Sequence, residues 1–274
     1  MYKLVFFLFF VIGIFYFMSE EFVDVSYAQS SKNLIIYPSE DSFVDESEPG
    51  ENFANDKYLF SGWSHGLPNQ DQSIAQILSY IKFPLDKIPQ SNAYEIVTID
   101  AIKLNIGIET TWWNENDKHS LTVNPCFDDI WKEESITWNT RPCKENLENG
   151  GYYPLEKLKL QDTNQFDITE IIENERIIKL SEITLILSSC STDELRIDCQ
   201  NPGLVLIYSL DSQRQNVLPS LSVEYTTTIN PVIYYVISIV ITTSAISIYF
   251  KSRKAKKKQE DKDPYKITND PDYD

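Results

Sequence analysis

Between Val232 and Phe250 lie nineteen residues without an Asp, Glu, Lys or Arg, and the next eight, Lys251 to Lys258, hold six cations. As a helix, such a run rises about 28 Å, which matches the hydrocarbon core of a bilayer. Pro231 stands at its start, where a missing N–H leaves no helical bond unmade. The pattern predicts a transmembrane helix over 229–250, with its basic flank on the cytoplasmic side. A buried core helix is the competing reading, and six adjacent cations argue against it. Residues 251–274 then form a tail, first basic and then mixed in charge, that lacks an apolar period beyond Gln259 and reads as disordered.

At the other end, Leu4 to Met18 are fifteen residues without a charge, preceded by Lys3 and followed by a polar stretch that reaches Ser26, Tyr27 and Ala28. A short apolar run after a basic residue, with small residues at −3 and −1 of a cut after Ala28, describes a signal peptide over 1–28. An uncleaved anchor is the alternative, since Glu20, Glu21 and Asp24 make the last part acidic. Either reading exports the chain beyond Ala28 and leaves one external domain, 29–228, on a single-pass cell-membrane protein with a cytoplasmic C-terminus.

Charge is unevenly shared. The 274 residues carry a net charge of −17, and residues 29–228 alone hold 15 basic and 32 acidic side chains. A surface of that sign repels phosphate backbones, so nucleic acid is excluded as a partner. Only 8 glycines are present, and neither a G-x-x-x-x-G-K-[ST] nor a G-x-G-x-x-G motif occurs.

Cys126, Cys143, Cys190 and Cys199 all fall in the exported part. An even count in an oxidising compartment predicts disulfides, and four cysteines allow three connectivities. Sequence proximity favours Cys126 with Cys143 and Cys190 with Cys199. Zinc is disfavoured, because there is no C-x-x-C and the two histidines, His65 and His119, are far apart. Each histidine reads as a solvated loop residue.

The external domain reads as strands. Ile102, Leu104, Ile106 and Ile108 alternate with Lys103, Asn105 and Gly107, a period of two that puts one face inward. Ile183, Leu185 and Leu187 repeat the pattern, as do Leu221, Val223 and Tyr225. Ile77, Ile81 and Phe83 line one side of a further strand, and Leu204, Leu206 and Tyr208 one side of another. Asp167 to Ile172 is a single amphipathic helical turn with Asp167 as its N-cap. Many short strands, turns such as Asn149-Gly150-Gly151 and no repeat of 20–50 residues predict an all-β, antiparallel sandwich.

Five segments in chain order carry a resemblance. Asp41-Ser42-Phe43-Val44-Asp45 opens toward Pro49 and Asn52. Tyr80-Ile81-Lys82-Phe83-Pro84-Leu85-Asp86-Lys87-Ile88-Pro89 comes next. Trp131 to Pro142 reads WKEESITWNTRP, Phe166 to Thr169 reads FDIT, and Pro219 to Tyr225 reads PSLSVEY. This series resembles the DNRLRE domain, also classed as carbohydrate-binding module family 96. The family's Arg-Glu element has no aligned counterpart in Tyr208 to Gln215. The resemblance implies a jelly-roll-like β-sandwich and a secreted or surface module, some relatives being attached to polysaccharide-degrading enzymes. It implies no catalysis by the module.

Sugar binding needs a flat apolar face for the CH side of a pyranose, bordered by amides and carboxylates. Trp112, Trp113, Asn114 and Asn116 supply both between two predicted strands, and Trp63 is a second stacking candidate. Trp131 and Trp138 read as packing. Asp41, Asp45, Asn52 and Asp56 lie close enough in sequence to suggest a calcium loop, without EF-hand spacing. Acidic pairs such as Asp128-Asp129 and Glu133-Glu134 suit a glycosidase only if two carboxylates face each other, which sequence does not place. The expected function is therefore non-catalytic: a membrane-anchored module for a glycan or cell-envelope polymer, with neutral sugars the easier ligands for so acidic a surface. A structural or adhesive envelope protein that contacts another protein is the alternative, and a carbohydrate-active enzyme, lyase or glycosidase, is the weaker one.

Overall fold

The computed structural model describes residues 30–65, 74–112, 119–127, 131–144, 150–154, 158–172, 180–193, 196–198 and 203–260. The proposed signal segment 1–28 lies outside them. Among the described residues the strands are β1 (Ser30–Ile36), β2 (Glu40–Asp45), β3 (Tyr58–His65), β4 (Ile74–Pro84), β5 (Glu95–Trp112), β6 (His119–Cys126), β7 (Gly151–Pro154), β8 (Asp162–Asp167), β9 (Glu182–Asp193), β10 (Arg196–Asp198), β11 (Gly203–Tyr208) and β12 (Ser220–Ile229). They join in the order β1-β12-β5-β11-β3-β4-β9-β6-β7, with β2 beside β4, β8 beside β5 and β10 beside β9. The pairings are antiparallel, and the sheet curls on itself into the all-β sandwich that the alternation predicts.

The chain forms two compact units. The first, residues 29–91 and 97–227, is the sandwich. Its main core takes Ile102, Leu104, Ile106 and Ile108 from β5, Ile183, Leu185 and Leu187 from β9, Leu121 and Val123 from β6, and Leu221 and Val223 from β12. These are the inward positions that period two assigns. Strand β11 reverses its expected face: Val205 and Ile207 enter this core, while Leu206 and Tyr208 are buried on the opposite side. Five consecutive apolar residues, Leu204 to Tyr208, carry no alternation from which a face could be read.

A smaller core covers the outer side of β4 and β9. Val44, Leu78, Tyr80, Cys126 and Ile186 pack there beneath Trp131 and Ile136, with Trp138 and Cys143 partly buried against them. Both tryptophans therefore serve packing, as expected. The Trp131 indole donates to Thr184 Oγ1 at 2.8 Å and lies 4.6 Å beneath the buried Lys82 ammonium. Arg141 stacks on Trp138 at 3.5 Å. Cys126 and Cys143 form a disulfide over a separation of 17 residues and tie this cover to β6. Cys199 lies outside the described residues. Replacing Cys126 and Cys143 by serine is expected to cost about 3 kcal/mol in urea unfolding, the value for a loop of this length.

The turn after β8 is the helical turn expected: Ile172 N–H bonds the Ile168 carbonyl at 3.2 Å, and Asp167 Oδ1 accepts from Thr169 N–H at 3.0 Å. His119 departs from its expected solvated loop. It begins β6 with 2% exposure, and a Cβ on Gly203 would fall 2.5 Å from its ring. The close approach of a residue without a side chain is what admits the imidazole.

The second unit comprises residues 92–96 and, among the described residues, 228–260. Asn230 Oδ1 accepts from Val232 N–H at 3.1 Å and opens helix α1, Pro231–Glu260. The helix has exposed apolar sides, and an 18-residue stretch of it with a mean hydropathy of 1.9 is long and apolar enough to cross a membrane. It continues through the basic cluster to Glu260, ten residues past the apolar run. Lys, Arg and Ala are good helix formers, and no Gly or Pro interrupts them before Pro264, so the helix carries on through the cations; residues 261–274, most of the stretch expected to be disordered, lie outside the described residues.

Candidate functional site

Strand β5 brings its last residues to one end of the sandwich and turns them over on the way. Ile207 of β11 opposes Ile108, whereas Leu206 opposes Thr110, so Glu109 is the extra residue of a β-bulge. From Ile102 to Ile108 the even-numbered side chains point into the core. Past the bulge the parity reverses, and Thr110 and Trp112 share the outer face with Leu206 and Leu204. Trp112 is thereby 51% exposed instead of buried beneath the strand.

Its ring is the outer end of an aromatic row. Phe60, opposite Leu206 on β3, lies 6.2 Å from Trp112. Phe43 lies 5.0 Å from Phe60 and stacks on Phe53 at 4.3 Å. Phe43 is 5% exposed, so the row runs from a fixed anchor to an open indole face. Packing on one side holds the Trp112 ring while the other side meets solvent, as a sugar-stacking platform requires. Sequence reasoning found Trp112 and missed the row behind it. Phe43 and Phe53 are 10 residues apart in the opening segment, and nothing in their spacing points to Phe60.

The other sugar-binding candidates divide. Trp113, Asn114 and Asn116 lie outside the described residues. Trp63 opposes Gly203, the neighbour of Leu204, and so projects on the face opposite Trp112. It is half-buried, and its enclosed Nε1 has no hydrogen-bond partner among the described residues. Trp63 and Trp112 do not form one platform.

The four calcium candidates have separate attachments. Asp41 is 2% exposed, and its Oδ2 accepts from Leu210 N–H at 2.8 Å. Burial pushes its carboxyl up to about 7, and the charges of Asp211 and Glu133 add to the rise. Asp45 Oδ1 accepts from Ser47 N–H and Oγ–H, at 2.7 and 2.6 Å. The Asn52 amide donates to the Glu133 and Ile136 carbonyls at 2.6 and 2.7 Å, and the Asp56 carbonyl accepts from Ser209 Oγ–H. Among the described residues no group of three His, Cys, Asp or Glu side chains is placed to hold a metal ion. Of the acidic pairs, Asp128 and Asp129 lie outside the described residues, and Glu133 Oε2 accepts from Asp41 N–H at 3.3 Å.

The model of carbohydrate-binding module family 96 matches residues 33–202, more than half of the chain. The chain belongs to carbohydrate-binding module family 96. The matched span of the module includes the aromatic row, the bulge, Trp112 and the disulfide-tied cover, and it ends just before β11. No curated protein matches the chain.

Proposed function

We propose that this module binds glycan without transforming it, at the bulged end of β5, and that helix α1 holds it at a membrane. The observation that carries the site is the exposure of Trp112 at the head of a buttressed aromatic row. Trp112 supplies the stacking face, and Trp113, Asn114 and Asn116, next along the chain, supply further apolar surface and amides for sugar hydroxyls. Trp63, on the other face, is the candidate for a separate contact. The basic run after Phe250 supports a cytoplasmic C-terminus and an external sandwich. Because the sandwich is acidic, neutral glycans are favoured over uronates.

A glycan-binding screen on the full chain in detergent tests this. Trp112→Ala is expected to weaken the best neutral glycan by roughly 30-fold, the effect of removing a central aromatic anchor. The melting temperature is expected to change little, since the ring is half in solvent at a strand end. Unchanged binding in both Trp112→Ala and the Trp112→Ala, Trp113→Ala double variant would discard the site. No binding to any glycan would favour the adhesive reading, and product formation from a polysaccharide would favour an enzyme.

Calcium enters as an accessory to be tested on the same protein. A melting temperature raised by calcium and lowered by chelator would show a bound ion, and loss of both responses in Asp45→Asn would assign it to the Asp41–Asp56 opening. Equal values would remove it.

A further inference from the structure

The sandwich has a concave feature well away from Trp112. Asp100, near the start of β5, Gly151 to Tyr153 of edge strand β7, and Asp167 with Thr169 to Ile171 in the turn after β8 line a groove of about 580 Å³. Asp100 and Trp112 are twelve residues apart on one strand, a span of about 40 Å. The groove and the aromatic row are thus independent places.

The walls combine ring surface with acceptors. Tyr152 is 42% exposed. Tyr153 packs edge-on against Phe166 at 5.3 Å, and its hydroxyl donates to the Asp167 carbonyl at 2.5 Å. Burial and the nearby Asp167 and Glu170 charges push that phenol up to about 12, so it stays an O–H. The floor needs a residue without a side chain: a Cβ on Gly151 would lie 2.7 Å from Ile171 Cδ1 and 2.8 Å from the Tyr153 hydroxyl.

Three carboxylates reach the same groove, and among the described residues that line it there is no cation. Asp167 Oδ1 accepts from Thr169 N–H and Oγ1–H, and these two bonds hold its pKa below the usual carboxylate range. Asp100 Oδ1 accepts from Thr226 Oγ1–H at 3.4 Å. Glu170 is exposed. Lys103, the cation whose field reaches Asp167, is bonded through Nζ to Glu224 Oε1 at 2.5 Å. From the described lining residues an occupant therefore meets aromatic surface, acceptors for its hydroxyls and a net negative charge together. A neutral sugar would use the first two and an acidic one would be repelled by the third.

We propose that this groove is a second saccharide site, selective for sugars that carry a free amine, such as oligomers of glucosamine. Tyr152 offers its ring to the CH face of the sugar, Asp167 and the Tyr153 hydroxyl border it, and Asp100 and Glu170 take the ammonium. The inference rests on the carbohydrate-binding reading of the module and not on the Trp112 platform.

The test is calorimetric titration of the full chain in detergent with glucosamine tetramer and, separately, with its N-acetylated counterpart. The free-amine oligomer is expected to bind at least about tenfold more tightly, and to weaken as salt is raised. The Asp100→Asn, Glu170→Gln double variant and Tyr152→Ala should each lose about tenfold or more for the amine oligomer, with unchanged melting temperatures. Equal binding of both oligomers, or amine binding that survives the groove variants, overturns the proposal. Loss of neutral-glycan binding in Trp112→Ala is read on a separate arm, so failure of one site does not pass for failure of the other.

Discussion

Replacing Trp131 by alanine is expected to lower unfolding stability by about 3–5 kcal/mol, the range for deleting a large buried aromatic. The indole is 5% exposed and fills the space over Tyr80, which it meets edge-on at 5.9 Å. Its Nε1–H satisfies Thr184 Oγ1, and its face lies beneath the ammonium of Lys82, itself 1% exposed. That ammonium also donates to the Trp131 carbonyl and pairs with Glu40 at 3.4 Å. Alanine would keep the carbonyl but open a cavity beside a buried cation. Trp131→Phe should recover most of the packing and leave a deficit of about 1–2 kcal/mol for the lost indole bond. Urea unfolding of both variants checks the ranking. Should Trp131→Ala instead lose glycan affinity at unchanged stability, the cover would be a ligand platform and the packing assignment would fail.

The second large effect is a pH dependence with a definite sign. Asp41 is nearly free of solvent, and its carboxyl rises from an ordinary 3.8 to about 7, chiefly through burial. The unfolded chain gives up this proton near pH 4, while the folded one keeps it to about pH 7. Between those values the folded state binds more protons, so this group's contribution to stability falls as pH rises and levels off above about 7. The interval corresponds to about 4 kcal/mol at most. Glu133, also raised chiefly by burial, acts in the same direction. Asparagine can still accept from Leu210 N–H without a charge to desolvate. Asp41→Asn is therefore expected to match the native protein at about pH 3.5 and to exceed it by about 2–4 kcal/mol at pH 8. Melting curves at the two pH values decide it: parallel curves for native and variant would mean that the carboxylate is solvated or compensated when charged.

The strands were easiest to read where polar residues separate the apolar ones. Ile102 to Ile108 alternate with Lys103, Asn105 and Gly107, and the structure buries the predicted face completely. In β4 and β9 both faces are covered, so Tyr80 and Ile186 are as buried as Ile81 and Leu185, and alternation there marks the face of the main core but hides the second buried face. The bulge at Glu109 was illegible for another reason. Without a Gly or Pro to mark it, even parity simply continues through Thr110 to Trp112 and would place the indole inside. Only the mismatch against β11 reveals the reversal. The groove was hidden because Asp100, Tyr152 and Glu170 come from three distant segments: β8 pairs with β5, while β7, paired with β6, reaches them by packing Tyr153 against Phe166. The Cys126–Cys143 bond was legible, because a short separation limits where the chain can go.

Strands β5 and β12 are neighbours and run in opposite directions, with Asn105 near Ser220 and Asp100 near Thr226. Trp112 ends β5 at one end of the sandwich, and β12 finishes at the other. A pull on a polymer held at Trp112, resisted through the end of β12, would run lengthwise along these two strands. Their ladder bonds would then be loaded in shear, all sharing the force at once, instead of being peeled apart one by one. The same hydrogen bonds that order the sheet would let the module hold a moving polymer without unravelling.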